Sequence, residues 1–600
     1  MLLNLLSAFR YSGRAMLLVW SAGRGLVIAI VGLTVLTGIS PAAVAYIGAR
    51  IVDSVLAAAE QVKAGGATQF DIVLGWVALE ALVITLGAIV QSGLSFCQNI
   101  LSQQLGHRVN VMILEKASTL ELRHFENADL YDKLLRAQRD AASRPLSLTL
   151  RYADLGRNVI SLASFGVLLF QFSPWAVVIL LVAGLPPFIA ELWFSRRAYW
   201  LFRERSPDLR MQSYLETVLA RDDHVKETKL YRIGPLLLDR YRSIFQRVFR
   251  QQRALDLRHN AWGLALGLLG TVAFYCAYGW VAVSAVLGRI TLGQMTMHLM
   301  LFRNGQGAVG SSLGAIRGVY DDNLYLSTLF EFLDIPVKPR LGTVKRGTDP
   351  SDGVRFENVR FDYGQAPPAL EGIDLHVKPG QSLALVGENG SGKTTLIKLL
   401  TGLYSPTGGR ILLDGVDLES WDEATLHSRI GVVFQDFARY QFTVGENIGA
   451  GDVASFDDEV RWKEAADRGL ATRFVETLPQ KFHTQLGKWF DEGRELSGGQ
   501  WQKIALSRSF MRDSADIVVL DEPTSAMDAA AEAEIFEHFR SRMRDRIAIL
   551  ISHRFSTVRM ADHIVVMEAG RIIERGSHEE LMKAAGRYAQ LFSLQARGYQ

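Results

Sequence analysis

Raw material for disulfides is nearly missing from this chain: only two cysteines, Cys97 and Cys276, occur in 600 residues. Both fall in or beside apolar stretches far apart in sequence, so neither a disulfide framework nor a paired-cysteine metal site is expected. Two thiols packed among apolar neighbours is the reading adopted. Excess charge is lacking too. Lys and Arg total 65 against 62 Asp and Glu, a formal net charge of +3, which gives no footprint for a nucleic-acid partner. The N-terminus, MLLNLLSAFRYSGRAMLLVW, lacks the basic start, single apolar block and small-residue cleavage site of a cleaved signal peptide. Arg10, Arg14 and Arg24 interrupt its apolar residues instead, the pattern of an amphipathic segment lying along a membrane surface.

What is present is unevenly spread. Hydrophobic residues make up 49% and charged residues 21%, but the first half holds long apolar runs and the last quarter reads as a soluble enzyme. A spanning helix needs about 20 mostly apolar residues to cross a hydrocarbon layer roughly 30 Å thick. Six stretches meet that need: Leu26–Ile47, Ile72–Phe96, Ala153–Phe172, Trp175–Phe194, Trp262–Leu287 and Leu292–Leu313. The third and sixth are interrupted by polar residues. Basic residues crowd the connection between the second and third (Arg108 to Arg144) and between the fourth and fifth (Arg196 to Arg258). The positive-inside rule puts both connections, and with six crossings both termini, in the cytosol.

Those two connections hold few glycines and prolines and read as helix, so the second and fourth spans extend beyond the membrane as stalks. Breaks are expected around His124–Asn127 and Tyr231–Pro235. Each is either a stalk tip where a second domain docks or an ordinary helix break. Inside the spans, Glu80, His298 and Arg303 are candidates for a substrate pathway, because charge facing lipid is costly. The alternative is a structural polar pair. Gly263 and Gly267 form a small-xxx-small pattern suited to close helix packing. A linker rich in Pro and Gly follows, giving expected boundaries of 1–335, 336–352 and 353–600.

After the linker, Gly387-Glu388-Asn389-Gly390-Ser391-Gly392-Lys393-Thr394 fits G-x-x-x-x-G-K-[ST]. It follows a strand-like Ser382–Val386 and opens into a helical run from Thr395. Glycines let backbone N–H groups curl around phosphate oxygens, and a helix N-terminus adds favourable partial charge. Lys393 reaches the β- and γ-phosphates and Thr394 ligates Mg²⁺. Further on, the apolar Ile517–Leu520 ends in Asp521, placed to hold Mg²⁺, and Glu522, placed to polarise an attacking water.

Between these pieces stands Leu496-Ser497-Gly498-Gly499-Gln500. With it the chain resembles the ATP-binding cassette family over about Gly353 to Gly586. The resemblance implies further roles: Tyr363 stacking on adenine, Gln435 as the glutamine-loop residue that also meets the metal, Asp528 in the loop crossing the dimer interface, and His553 as the switch histidine at the γ-phosphate. It implies ATP and Mg²⁺ as cofactors and Ser497, with the glycine amides, completing the nucleotide site of a second chain. That second chain is expected to be identical, since Glu522, His553 and the pentapeptide are all intact; a heterodimer in which this chain is the complete half and its partner degenerate remains open. Three departures stand out: Met527 replaces a leucine, Lys488–Gly493 lacks the TEVGERG wording of many exporters, and Trp501 after the pentapeptide has no evident reason.

The order of parts resembles an exporter-type half-transporter. The implied fold is multidomain, an all-α transmembrane domain of six helices followed by an α/β P-loop NTPase cassette. The implied function is ATP-driven export, or outward flipping, of a peptide, lipid or amphipathic molecule by alternating access. Phe125–Tyr131 and Leu230–Asp239 are the expected coupling helices. A bacterial inner membrane is the expected location, and no peptide-processing protease segment is expected. An importer with the same fold and an ATP-gated membrane regulator remain open, and the cargo is unread.

Overall fold

The computed structural model describes the chain outside residues 1–10, 66–69, 128–129, 131–133, 135–143, 179–185, 187–188, 192, 195–196, 198–200, 202–203, 338–341, 365–366, 524–545, 553 and 599–600. It divides into two compact units: Met1–Leu120 with His124–Pro336, and Glu121–Arg123 with Val337–Gln600.

The first unit is helical. Among the described residues its helices are α1 (Ser12–Ala22), α2 (Arg24–Lys63), α3 (Phe70–Thr119), the end of α4 (Leu122–Glu126), α5 (Arg144–Phe172), α6 (Ser206–Ala220), α7 (Asp222–Leu230), α8 (Gly234–Val286) and α9 (Leu292–Leu333). Helix α3 has 50 residues, so at 1.5 Å per residue it is about 75 Å long, far beyond a bilayer's hydrocarbon layer. That is the expected stalk. Among the described residues α2, α3, α5 and α8 are long and apolar enough to cross a membrane. The expected sixth span lies in α9 but is too polar for that standard, and the expected fourth falls largely outside the described residues.

Helix α1 is two-faced, as its sequence suggested. Ser12, Ala15 and Val19 are buried, while Leu17 is 69% exposed. The buried face joins an apolar core with Leu101, Leu105 and Val109 of α3 and Val319, Leu326 and Phe330 of α9. Arg14 forks onto Asp334, with nitrogen–oxygen distances of 2.6 and 2.9 Å. Three consecutive residues of α9 point to different partners, because each step turns a helix by about 100°. Asp321 faces Arg317. Asp322, fully buried, accepts from Arg144, Ser147 and Arg151. Asn323 accepts from Ser12 Oγ at 2.9 Å. At the other end of α9, Asp53 of α2 accepts from Gly293 N and Thr291 Oγ1, both at 2.9 Å. A side chain at Gly293 would collide with Ala49 O.

Several expectations need correction. A first break lies at Leu120–Glu121, ahead of the expected one; α4 then ends at Glu126, so the chain does leave the helix at Asn127, and the expected Phe125–Tyr131 helix lies partly outside the described residues. In the second connection the separate short helix is α7, and Leu230–Asp239 straddles the turn into α8, where Pro235 sits in the first turn and is tolerated. A Cβ at Gly263 or Gly267 would meet nothing within 4 Å, so neither makes a close helix contact within the chain. Gly38 does, against Ile160.

The second unit is α/β. Among the described residues a six-stranded sheet runs in the order β10 (Arg571–Gly576), β9 (His563–Glu568), β3 (Ser382–Val386), β8 (Ile547–Ile551), β7 (Ile517–Asp521), β6 (Ile430–Val433), parallel except for β9–β10. Strands β7 and β8 are buried throughout, which explains their unbroken apolar sequence. A four-stranded antiparallel sheet, in the order β2 (Leu370–Val377), β1 (Val354–Phe361), β4 (Gly408–Leu413), β5 (Val416–Asp417), packs on the same apolar core. A smaller helical core gathers Val444, Ile448, Trp462 and Trp501. The linker is not loose where described: Val344 N donates to Ser420 O, and Asp422 N donates to Val344 O.

Candidate nucleotide site

The phosphate loop joins β3 to α10 (Lys393–Leu400) at the centre of the parallel sheet. Its backbone demands glycine. Gly390 and Gly392 have φ of 82° and 101°, in the left-handed region, and a Cβ on Gly387 would lie 2.3 Å from Met567 O. Gly392 is the N-cap of α10 and offers no side-chain cap, so the first amides of that helix are left for a ligand's phosphate oxygens. Lys393 lies back along the loop. Its Nζ donates to Gly387 O (2.9 Å), Glu388 O (2.8 Å) and Ser391 Oγ (3.3 Å). Burial pushes its pKa down, opposed by Glu522 and Asp521. Asn389 is exposed, and Glu388 pairs with Arg587.

The two acids after the loop behave differently. Asp521, at the end of β7, is 1% exposed and accepts from Thr394 Oγ1 at 3.1 Å. Burial raises its pKa to about 6, against the lowering effect of the Thr394 bond. Glu522 follows in left-handed backbone, φ 49°. Its N donates to Ile551 O at 2.9 Å, and its Oε2 accepts from Gln435 Nε2 at 2.9 Å. Thr394 is thus bonded to the buried Asp521, and Gln435 to the next residue, Glu522, so a hydroxyl, a buried carboxylate and an amide lie on connected residues. Mg²⁺ suits that set, since it takes one or two protein oxygens and the rest from phosphate and water.

Tyr363 is 45% exposed. Its hydroxyl lies 3.2 Å from Thr395 Oγ1, and its ring meets Phe361 and Tyr404 edge-on at 4.8 and 5.5 Å. The ring is thus fixed while leaving area for a base to stack. His553 and Asp528, with Met527, lie outside the described residues.

Ser497 caps α13 (Gly498–Phe510), where α11 is Val444–Gly449 and α12 is Glu459–Arg468. Ser497 Oγ accepts from Gln500 N, and Gln500 Oε1 accepts from Ser497 N, a reciprocal capping box. Ser497 and Gly498 are exposed, and Gly499 is half-buried. Trp501 now has its explanation. It is 1% exposed in the small helical core, and its Nε1 donates to Glu495 Oε1 at 3.0 Å. Sequence reasoning missed Gln502. It is 2% exposed, and its Nε2 donates to Glu522 O at 3.2 Å, linking the pentapeptide helix to the second acid. No local pattern signals it. The atypical Lys488–Gly493 is a tight loop closed by Gly487 N to Arg494 O, and it presents Trp489, 80% exposed.

In the helical unit the three candidate pathway residues do not come together. Among the described residues no hydrogen bond or ion pair joins them. Glu80 approaches Gly48, His298 is buried against the Phe172 ring at 4.7 Å, and Arg303 is exposed. The structure instead joins Glu191, His259 and Arg317. A carboxylate inside an expected span was the available signal for Glu191.

The chain is similar to several known proteins. Residues 370–525 match the ABC transporter family profile. The subtilin transport ATP-binding protein SpaT of Bacillus subtilis is 32% identical, covering 96% of this chain and 92% of that protein. The nisin transport ATP-binding protein NisT of Lactococcus lactis is 29% identical over 94% of this chain and 92% of that protein. An ATP-dependent lipid A-core flippase of Cupriavidus pinatubonensis is 32% identical over 79% of each. A solved structure of a bacterial Atm1-family ABC exporter with ATP bound superposes with a TM-score of 0.79 at 24% identity, covering 96% of this chain and 99% of that one.

Proposed function

This chain belongs to the ABC transporter family, as a helical multi-pass membrane unit followed by an α/β nucleotide-binding unit, and from that premise we propose that it exports a peptide as a homodimer. ATP-driven transport is the family's activity. The peptide class is supported by the subtilin and nisin transport proteins, which match over more than nine-tenths of this chain. The exporter direction, a bacterial inner membrane and cytosolic termini are part of the same reading.

One observation carries it most. Within one chain Thr394, Asp521, Glu522 and Gln435 are linked by hydrogen bonds and sequence, while Ser497, the exposed cap of its helix, has no hydrogen bond among the described residues to the phosphate loop. Two chains facing each other would complete both sites. ATP binds with its adenine on Tyr363, its phosphates on the loop amides of Gly387 to Thr395, and its β- and γ-oxygens on Lys393. Mg²⁺ would be held by Thr394 and Asp521 beside Gln435, and it supplies charge neutralisation of the phosphate oxygens. Glu522 orients a water in line with the γ-phosphorus and accepts its proton, with Gln435 holding the carboxylate. His553 and Asp528 take the switch and interface roles. Closure on ATP draws the stalks together and turns the cavity outward, and hydrolysis resets it.

The test is ATP-driven transport by the purified chain in proteoliposomes, with accessible cassettes facing out. Uptake of an amphipathic peptide into such vesicles, lost in Glu522→Gln, is the expected result. ATP turnover without movement of any peptide, lipid or drug would instead indicate an ATP-gated regulator.

A further inference from the structure

The polar cluster of Glu191, His259 and Arg317 is drawn from three helical segments. His259 is on α8 and Arg317 on α9. Glu191 lies near the inner end of the expected fourth span, His259 just before the fifth, and Arg317 just after the sixth. All three therefore share one level, at the cytosolic mouth of the bundle. Each of the two carboxylate oxygens has one donor. His259 Nε2 lies 2.8 Å from Oε2, and Arg317 Nη1 lies 2.5 Å from Oε1. The side chains are 23% (Glu191), 29% (His259) and 36% (Arg317) exposed. Charges that open at this level face water in a cavity more cheaply than lipid.

Two other carboxylates of the unit are committed. Asp322 is sealed beneath three donors, and Asp53 is taken by the start of α9. Arg317 is different because it has a second acceptor in reserve. Its Nε lies 3.8 Å from Asp321 Oδ2, one turn along the same helix. Release from Glu191 thus leaves Arg317 paired, avoiding the large cost of an orphaned charge. Phe194 meets the His259 ring edge-on at 5.1 Å.

We propose that Glu191 is a cargo-recognition point that takes an ammonium or guanidinium group of the cargo in exchange for Arg317. Arg317 then swings to Asp321. The inference rests on the transport reading and narrows its cargo to cationic molecules.

The test uses the full chain in proteoliposomes and two probes: a synthetic amphipathic peptide carrying lysines, and the same peptide with its lysines acetylated. Wild type is expected to reach half-maximal ATPase stimulation at about tenfold lower concentration of the lysine form, the factor for one charge-assisted hydrogen bond. Glu191→Gln should close that gap. Arg317→Gln frees the carboxylate and should lower the half-maximal concentration further, whereas Asp321→Asn removes the reserve acceptor and should raise it. A purely structural ion pair would shift Glu191→Gln and Arg317→Gln in the same direction, and that result overturns the proposal, as does a gap that survives Glu191→Gln. Equal wild-type responses to both probes would reject the cation site while leaving ATP-driven transport intact. Accumulation of neither probe, nor of lipid or drug, would reject the transport reading as well.

Discussion

Replacing Asp521 with Asn should stabilise the nucleotide-free protein, although it removes a residue assigned to the metal. The carboxylate is 1% exposed, and burial raises its pKa from 3.8 to about 6. The folded state therefore holds a proton more tightly than the unfolded state. Stability falls as pH rises from about 4 to about 6 and stays lower above that window. The difference of roughly two pKa units corresponds to about 3 kcal/mol at pH 7.5. Asn keeps an oxygen for the Thr394 hydroxyl and carries no charge, so Asp521→Asn should recover most of that. For a unit of this size the gain is about 6 °C in Tm. The assay is thermal unfolding of the detergent-solubilised protein in EDTA, without nucleotide. At pH 5 the advantage of the variant should shrink to about half, because the wild-type carboxyl is then largely protonated when folded. With Mg²⁺ and ATP the order should reverse, since only wild type gains from the bound cation. A variant no more stable than wild type at pH 7.5 in EDTA, or a gap independent of pH, would refute the reasoning.

Glu522→Gln should cut ATP turnover by about 10²-fold or more while leaving ATP binding measurable, as expected for loss of a general base; equilibrium binding and phosphate release separate the two. Lys393→Ala should weaken nucleotide binding itself, read by the same titration, because it removes the phosphate loop's own cation, the group that can meet phosphate oxygens. Trp501→Ala empties a fully buried site and should cost about 3–5 kcal/mol, seen as a lower Tm of the nucleotide-binding unit. In a mixed dimer, Ser497→Arg on one chain should silence one of two sites, so ATPase activity unchanged from wild type would contradict the shared-site arrangement.

The nucleotide site was legible because its parts are contiguous. A loop that must curl around phosphate writes its glycines in one run, and Gly387, Gly390 and Gly392 each meet a real backbone demand. Asp521 and Glu522 were legible as the end of a buried strand. What crosses between segments was not. Gln502 acts through the carbonyl of Glu522, a contact that sequence spacing cannot encode, and Trp501 looked arbitrary until its surrounding core was seen. In the helical unit, hydropathy gave helices but not their faces. Gly263 and Gly267 looked like packing residues yet face open space, while Glu191 was passed over. The helix at the second connection was displaced upstream because Gly234 and Pro235, taken as a break, open a helix of 53 residues. Pro fits there because a first-turn position has no helical acceptor for the N–H it lacks.

The cap on α13 also constrains which residue can stand there. Ser497 Oγ uses a lone pair to take the Gln500 amide, and a hydroxyl keeps its hydrogen after doing so. That hydrogen remains free to point outward at an anion. Aspartate would terminate the helix equally well, but it has no proton to give and would repel a phosphate. A single oxygen can therefore end a helix and greet a triphosphate at once, with neither task competing with the other.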